Sequence, residues 1–348
     1  MRTNNGVDGP QSRSTRPATM KDVAAAAGVG LGTVSRVFSK QGKVAESTRQ
    51  RVEQAAAELN YRPSAIGRGL KRQSTQNIGL IVTDISNNFY GEFSQGVLTT
   101  ARDMDRHVIL CASGEDPDAE AEYINLLVEQ RVEGIIAFPT GENVEAWQSA
   151  IDLGIRVVFA DRTIDGLDVP SVVIDNAASA RTLTEYLLAL GHRRIGYLGG
   201  PISLTSGRMR EEGFRRAHDD FDAPVDDRLI IRTRFTRDTA NASAQLLLDV
   251  DPPPTALVAG NNVLGEAALN AVRDRGLRVP EDISIVMFDD VPWAKLVEPP
   301  MTVIAQPSWQ LGQAATHLVL SAGATGSRIL ATELIARRSA RPWHATDA

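Results

Sequence analysis

A chain of 348 residues, 43% of them apolar, is long and hydrophobic enough for two or three folding units with their own cores, which excludes global disorder. Its one cysteine, Cys111, excludes intrachain disulfides and cysteine-based zinc sites and fits a reducing cytoplasm. The net charge of −6 is split unevenly: residues 1–72 carry 13 basic and 5 acidic side chains, a net of +8, and the rest carry 24 basic and 38 acidic, a net of −14.

A small basic head on a large acidic body points to a polyanion partner for the head; charge alone leaves DNA, RNA and an anionic membrane open. Residues 1–18 are rich in breakers and read as a flexible tail. They lack the apolar stretch of a secretory signal, and no later run is long enough to span a membrane, so a cytoplasmic protein is expected. From Thr19 the pattern turns helical. Thr19 caps Met20–Ala27 with Asp22 in a capping-box arrangement, and Gly28 ends the helix. A second short helix is predicted over Leu31–Ser39 and a third over Glu46–Asn60, with Val52, Ala55, Ala56 and Leu59 on one face, ending before Pro63. Helix, glycine-containing turn and helix, with Val23, Ala27, Val29, Val34 and Val37 spaced to pack together, make residues 19–62 a helix-turn-helix unit.

After a hinge or linker at 63–76, apolar strands alternate with amphipathic helices: Ile78–Ile85, Phe89–Arg106, Val108–Ala112, Ala119–Arg131 and Gly134–Phe138. The rhythm restarts after Asp175 with helices at Ala177–Ala189, Met209–Asp219 and Asp238–Leu248 and strands at Ile195–Leu198, Leu229–Arg232 and Ala256–Ala259. Repeated βαβ units predict two doubly wound parallel sheets, hence an α/β body of two lobes over 77–342 and a tail at 343–348. The expected division is 77–175 with 307–327 against 176–306 with 328–342. Ligand loops in such lobes gather at the carboxyl ends of the strands, and the cleft between lobes is a favoured small-molecule site.

Thr33-Val-Ser-Arg-Val37, Val44-Ala-Glu-Ser-Thr-Arg49, Leu59-Asn-Tyr-Arg-Pro-Ser-Ala65, Ile174-Asp-Asn176 and Leu190-Gly-His-Arg-Arg-Ile195 together resemble the LacI/GalR family over roughly residues 19–342. The resemblance implies a helix-turn-helix headpiece on a body like the periplasmic binding proteins. It implies a homodimeric repressor on a pseudo-palindromic operator, associated with the nucleoid when bound, and a carbohydrate-like effector that controls it allosterically. Arg36 can present its donor fork to guanine O6 and N7, with a phosphate contact or a solvated face as the alternatives. Gly30, Leu31 and Gly32 depart from the family's usual polar residues; Leu31 offers only apolar contact and Gly32 no side chain, so the operator sequence does not carry over. Thr19, Lys21, Thr33, Ser35, Arg49 and Tyr61 complete the expected DNA surface, chiefly as phosphate contacts. Pro63-Ser-Ala-Ile-Gly-Arg-Gly-Leu70 resembles the family's hinge helix, with Arg68 on it and Leu70 as the minor-groove wedge; Gly67 and Gly69 make it costlier to order, and a plain linker is the alternative.

In the body, Phe89 and Tyr90 follow the first strand, where rings either stack on a ligand or bury as core. Arg210-Glu-Glu-Gly-Phe214 resembles the family's effector-binding arginine motif, against a surface ion pair, and Val286-Met-Phe-Asp-Asp290 resembles its strand-end Gly-Phe/Tyr-Asp motif, so Asp289 is the expected acceptor, against a turn aspartate. Asn261 keeps an amide where relatives have Asn-Asp, while Asn262 removes the carboxylate. Phe235 adds a ring, and Arg162 and Asp175 a charged rim. Such a polar cleft suits a sugar or a sugar-like metabolite.

No enzyme motif is present, and the five histidines are scattered. An extracytoplasmic sugar-binding protein would share the body, but neither the basic head nor the absent export signal fits it. The aspartates at 219, 220, 222, 226 and 227 read as a solvated loop rather than a metal site, and no cofactor is expected.

Overall fold

A computed structural model describes residues 18–39, 42–61, 75–321, 323 and 325–343, which fall into two compact units divided between Thr75 and Gln76. The tail through Pro17, the hinge residues Arg68 and Leu70, and the tail from His344 lie outside the described residues.

The first unit holds α1 (Met20–Ala27), α2 (Leu31–Ser39) and α3 (Glu46–Glu58). Each boundary has a local cause. Thr19 and Asp22 form a reciprocal capping box, which satisfies two donors that the start of α1 would otherwise leave open. Gly28 ends α1 at φ 64°, a left-handed conformation that glycine adopts without steric cost. The third helix stops short of the expected Asn60 because that residue itself turns left-handed, at φ 50°. Val23, Ala27, Val34, Val37, Val52 and Ala55 close the core, and the Phe38 and Tyr61 rings meet at 5.7 Å on its edge.

The second unit begins with β1 (Asn77–Val82), α4 (Asn88–Asp103), β2 (His107–Ala112), α5 (Pro117–Glu129), β3 (Gly134–Ala137), α6 (Val144–Asp152), β4 (Arg156–Ala160) and β5 (Ser171–Ile174). It continues through α7 (Asn176–Ala189), β6 (Ile195–Gly199), α8 (Thr205–Asp220), β7 (Ile230–Arg232), α9 (Arg237–Leu248), β8 (Ala256–Ala259), α10 (Asn262–Asp274), β9 (Ser284–Phe288), α11 (Pro292–Leu296) and β10 (Thr302–Ala305). Last come α12 (Ser308–Leu320), β11 (Ser327–Leu330) and β12 (Glu333–Ile335).

Two six-stranded sheets result, ordered β11-β5-β4-β3-β1-β2 and β12-β10-β9-β8-β6-β7. Every pairing is parallel except β10 with β12. The inner strands are buried apolar runs such as Ala256-Leu-Val-Ala259, as a sheet covered by helices on both faces requires. The chain passes between lobes at 175, at 306–307 and at 331–332. The third passage falls later than the sequence division at 327/328, because Ser327–Leu330 pairs in register with Ser171–Ile174 of the first sheet. On the first lobe α4 and α12 approach backbone to backbone: a Cβ on Gly312 would lie 2.2 Å from the Phe93 carbonyl oxygen, and one on Gly96 2.3 Å from that of Trp309.

The two sheets share one strand order, so β4 and β9 are equivalent strands, and the loops after β1, β2, β7 and β8 surround the same crevice at the carboxyl ends of the strands.

Candidate functional site

In the helix-turn-helix unit, α2 has two faces. Val34 and Val37 point into the core, whereas Leu31, Gly32 and Arg36 are exposed, Leu31 by 44% of its surface. An exposed leucine at the first position of a short helix has no core to fill and is available to a partner. Arg36 Nε donates to the Gly32 carbonyl at 3.2 Å, laying the guanidinium along the outer face. Thr33 and Ser35 flank it half-buried, and Lys21 is exposed on α1. Three expected phosphate contacts have structural duties as well. The Thr19 hydroxyl serves the capping box, Arg49 pairs with Glu46 at 3.6 Å, and Tyr61 packs half-buried on Phe38.

In the second unit a cleft of about 330 Å³ opens between the lobes. The first lobe contributes Asp84, Asn87, Tyr90 and Glu115, and the second Phe235 and the start of α9. The Phe235 ring lies on Gly200, where an added Cβ would stand 2.1 Å from Cζ, so the ring keeps this position only above a residue without a side chain. Of the rings expected here, Tyr90 and Phe235 line the cleft, whereas Phe89 is a core residue, set edge-on against Phe138 at 6.0 Å. Burial holds the Tyr90 phenol well above its usual range against the pull of Arg162, so it stays neutral.

Behind the cleft lies a buried polar floor. Arg162, 2% exposed, makes a two-pronged ion pair with Glu115, both bonds 2.9 Å. Burial works against its charge, but Glu115, with Tyr90 and Asp161 adding to it, more than compensates and raises its pKa. Arg210 is 4% exposed, so it is no surface ion pair. It donates to Asn176 Oδ1 at 2.7 Å, to the Gly260 carbonyl at 2.6 Å and to Asp161 Oδ1 at 3.4 Å, and stacks 4.2 Å above the Phe288 ring. Burial raises the Asp161 pKa, with Arg210 and Arg162 opposing.

Asp289 accepts from the Asn262 backbone at 3.1 Å, from Asn262 Nδ2 at 2.9 Å and from Gln306 Nε2 at 2.7 Å. The Asn262 amide also donates across the lobes to Asn87 Oδ1 at 2.9 Å. A carboxylate at position 262 would face Asp289 as a like charge, which is the physical reason an amide fits. Asn261 is turned to another task, capping α10 through Leu264 N at 2.9 Å. Asp175 caps α7 and lines a separate recess with Thr332 and Leu334, so it is not on the cleft rim.

Asp161 and Asp289 follow the equivalent strands β4 and β9, and both hold left-handed backbone, at φ 64° and 76°. Such strain on residues other than glycine costs about 1–3 kcal/mol and gathers at ligand clamps. Arg162 Nε and Gln306 Oε1 are buried without a hydrogen-bond partner among the described residues. The sequence reading missed Asp161, Asn176, Asp84 and Glu115. For Asp161 a signal existed: it ends the apolar run Val157-Val-Phe-Ala160 directly before Arg162.

The aspartates at 220, 226 and 227 are ion-paired with arginines rather than simply solvated: Asp220 with Arg181, Asp226 with Arg194 and Arg228, Asp227 with Arg215. Among the described residues, no group of three or more His, Cys, Asp or Glu is placed to hold a metal, and no helix is long and apolar enough to cross a membrane.

Comparison with known proteins covers both units. Residues 19–64 match the family described as bacterial regulatory proteins, lacI family, and residues 75–337 that described as periplasmic binding proteins and sugar binding domain of LacI family. The HTH-type transcriptional regulator DegA of Bacillus subtilis (strain 168) is 36% identical over 336 residues, 93% of this chain and 98% of that one. Among solved structures, a complex of the transcriptional regulator CelR with cellobiose has a TM-score of 0.71 at 30% identity, covering 92% of this chain and 99% of that one. The lac repressor dimer bound to operator and the anti-inducer ONPF has a TM-score of 0.79 at 26% identity, covering 94% and 100%.

Proposed function

The chain belongs to the LacI family of bacterial regulatory proteins, and from that premise we propose that it is a homodimeric repressor whose hold on a pseudo-palindromic operator is set by a sugar or sugar derivative bound between its lobes. Members of this family are DNA-binding transcription regulators and not enzymes, and so is this chain. In this reading the outward face of α2 meets DNA, Arg36 and Leu31 at base edges beside the bare backbone of Gly32, and Thr33 and Ser35 toward the phosphates. Thr19, Lys21, Arg49 and Tyr61 border the phosphates, and Arg68 and Leu70 belong to the hinge. Two recognition helices related by a dimer axis match the two half-sites of a palindrome. The relatives supply precedent: CelR is seen with cellobiose, and the lac repressor as a dimer on operator.

The observation that carries the effector reading is the polar floor to which each lobe contributes a left-handed aspartate, Asp161 and Asp289, beneath a cleft with one ring from each lobe. A ligand there touches both lobes and biases their angle, and any bias that alters DNA affinity is felt reciprocally by the ligand. The test is a thermal-melting screen of the full chain with cellobiose, ribose, glucose, cytidine and adenosine, followed by operator titration with and without each hit. A native-state ligand at 100 times its Kd adds about 2.7 kcal/mol, a shift of several degrees. A hit that changes operator affinity supports the reading. A hit that leaves it unchanged overturns effector control, and a screen with no hit overturns the sugar class.

A further inference from the structure

The cleft carries an unbalanced charge. Three of its lining residues are carboxylates, Asp84 and Glu115 from the first lobe and Asp238 from the second, against a single cation, Arg237. Glu115 is neutralised by the buried Arg162 behind it. Arg237 is turned to Glu266, 3.6 Å away. Asp84 accepts from the Ser86 backbone at 2.8 Å and from its hydroxyl at 2.9 Å, bonds that hold a turn without cancelling charge. Neither Asp84 nor Asp238 has an ion-pair partner among the described residues, so one uncompensated carboxylate stands on each lobe. Of the two floor guanidiniums, Arg162 is engaged by Glu115 and Arg210 by Asn176, Gly260 and Asp161, so neither stands as an open cation in the cleft.

We propose that this cleft selects its effector by charge, admitting uncharged polyhydroxylated molecules and excluding their phosphorylated or carboxylated forms. The inference rests on the effector reading above and narrows its ligand class. Hydroxyl groups donate to unpaired carboxylates, and a ring face is met by Tyr90 or Phe235. A phosphate in the same volume faces two like charges, one on each wall. Both carboxylates are exposed on the cleft walls, so salt screens them and the discrimination is largest at low ionic strength, where the titrations are run.

The experiment is calorimetric titration of the full chain with matched pairs: glucose and glucose 6-phosphate, ribose and ribose 5-phosphate, adenosine and adenosine monophosphate. The neutral member is expected to bind roughly tenfold or more tightly than its phosphate. The double variant Asp84→Asn/Asp238→Asn, which keeps the Asp84 turn geometry, is expected to shrink that gap to about threefold or less. A phosphate that binds as well as its parent overturns the charge rule and leaves the effector site standing, as does a gap that persists in the double variant. If no member of any pair binds, the effector reading falls and the charge rule falls with it.

Discussion

Gly200 is the residue whose side chain, or lack of one, shapes the cleft most directly. Phe235 rests on it so closely that a methyl group would stand 2.1 Å from the ring tip. The ring is half-buried and at the end of a mobile side chain, so Gly200→Ala displaces the ring rather than the backbone. Stability is expected to change by about 1 kcal/mol or less, since the strain can be relieved toward solvent. The ligand-induced melting shift should disappear, because the displaced ring occupies cleft volume. A variant that melts like the parent and still responds to the same sugar would remove Phe235 from the site. Asp161 and Asp289 teach the complementary lesson about legibility. Asp289 stands out in the sequence through its Phe-Asp-Asp context. Its left-handed backbone, and its partnership with an amide 27 residues away, depend on contacts that no local pattern encodes. The three partners of Arg210 lie 34 to 50 residues from it in sequence, which is why its motif was readable and its burial was not.

At the scale of elements, the short helices of the first unit were legible because their signals are local: a capping box three residues wide, a left-handed glycine, and valines one turn apart. The strands β4 and β5 and the helix α6 were not singled out, since runs of four or five buried residues carry no period that separates strand from buried helix. The place of β11 was misread for another reason. Parallel pairing with β5, over 150 residues earlier, outweighs its nearness to β12 in sequence. The two faces of α2 give a paired test. Val37→Ala removes buried methyl groups and is expected to cost the headpiece about 1–3 kcal/mol, read as a lower denaturant midpoint. Arg36→Ala leaves the unfolding free energy within about 0.5 kcal/mol of the parent, because the residue is exposed. It should weaken specific operator binding by about 1–3 kcal/mol and relax preference at one base pair per half-site. Equal losses on operator and random DNA would make Arg36 a phosphate contact.

Considered whole, the body is closed by its own C-terminal segment. After the third passage between lobes the chain returns along the second sheet. Thr302 N donates to the buried Ser339 hydroxyl at 2.8 Å, Arg341 N to Ser284 Oγ at 3.2 Å, and Trp343 N to the Leu190 carbonyl at 2.8 Å. His192 sits beneath this strap. Its Nδ1 meets Thr255 Oγ at 2.9 Å, its Nε2 faces Ser284 Oγ at 3.1 Å and the Arg341 carbonyl at 3.2 Å, and Trp343 stacks over it at 5.7 Å. Burial pushes its pKa down to about 4, with the Arg341 charge adding to the effect and the Arg341 carbonyl opposing it. The unfolded chain, near 6.5, therefore takes up a proton before the folded one does. Stability is complete above pH 6.5, declines as pH falls toward 4, and loses nothing more from this group below that. At about 1.4 kcal/mol per unit the full loss is roughly 3 kcal/mol. His218, whose pKa burial also lowers, acts in the same direction. Unfolding free energies from urea titrations between pH 7.5 and 5, where ordinary carboxylates stay ionised and only those raised by burial, such as Asp161, pull the other way, should fall in the parent. In His192→Gln the protein should be weaker at pH 7.5, with a slope against pH shallower by close to one proton. An unchanged slope would show that His192 is protonated equally in both states, and that the strap is held without regard to its charge.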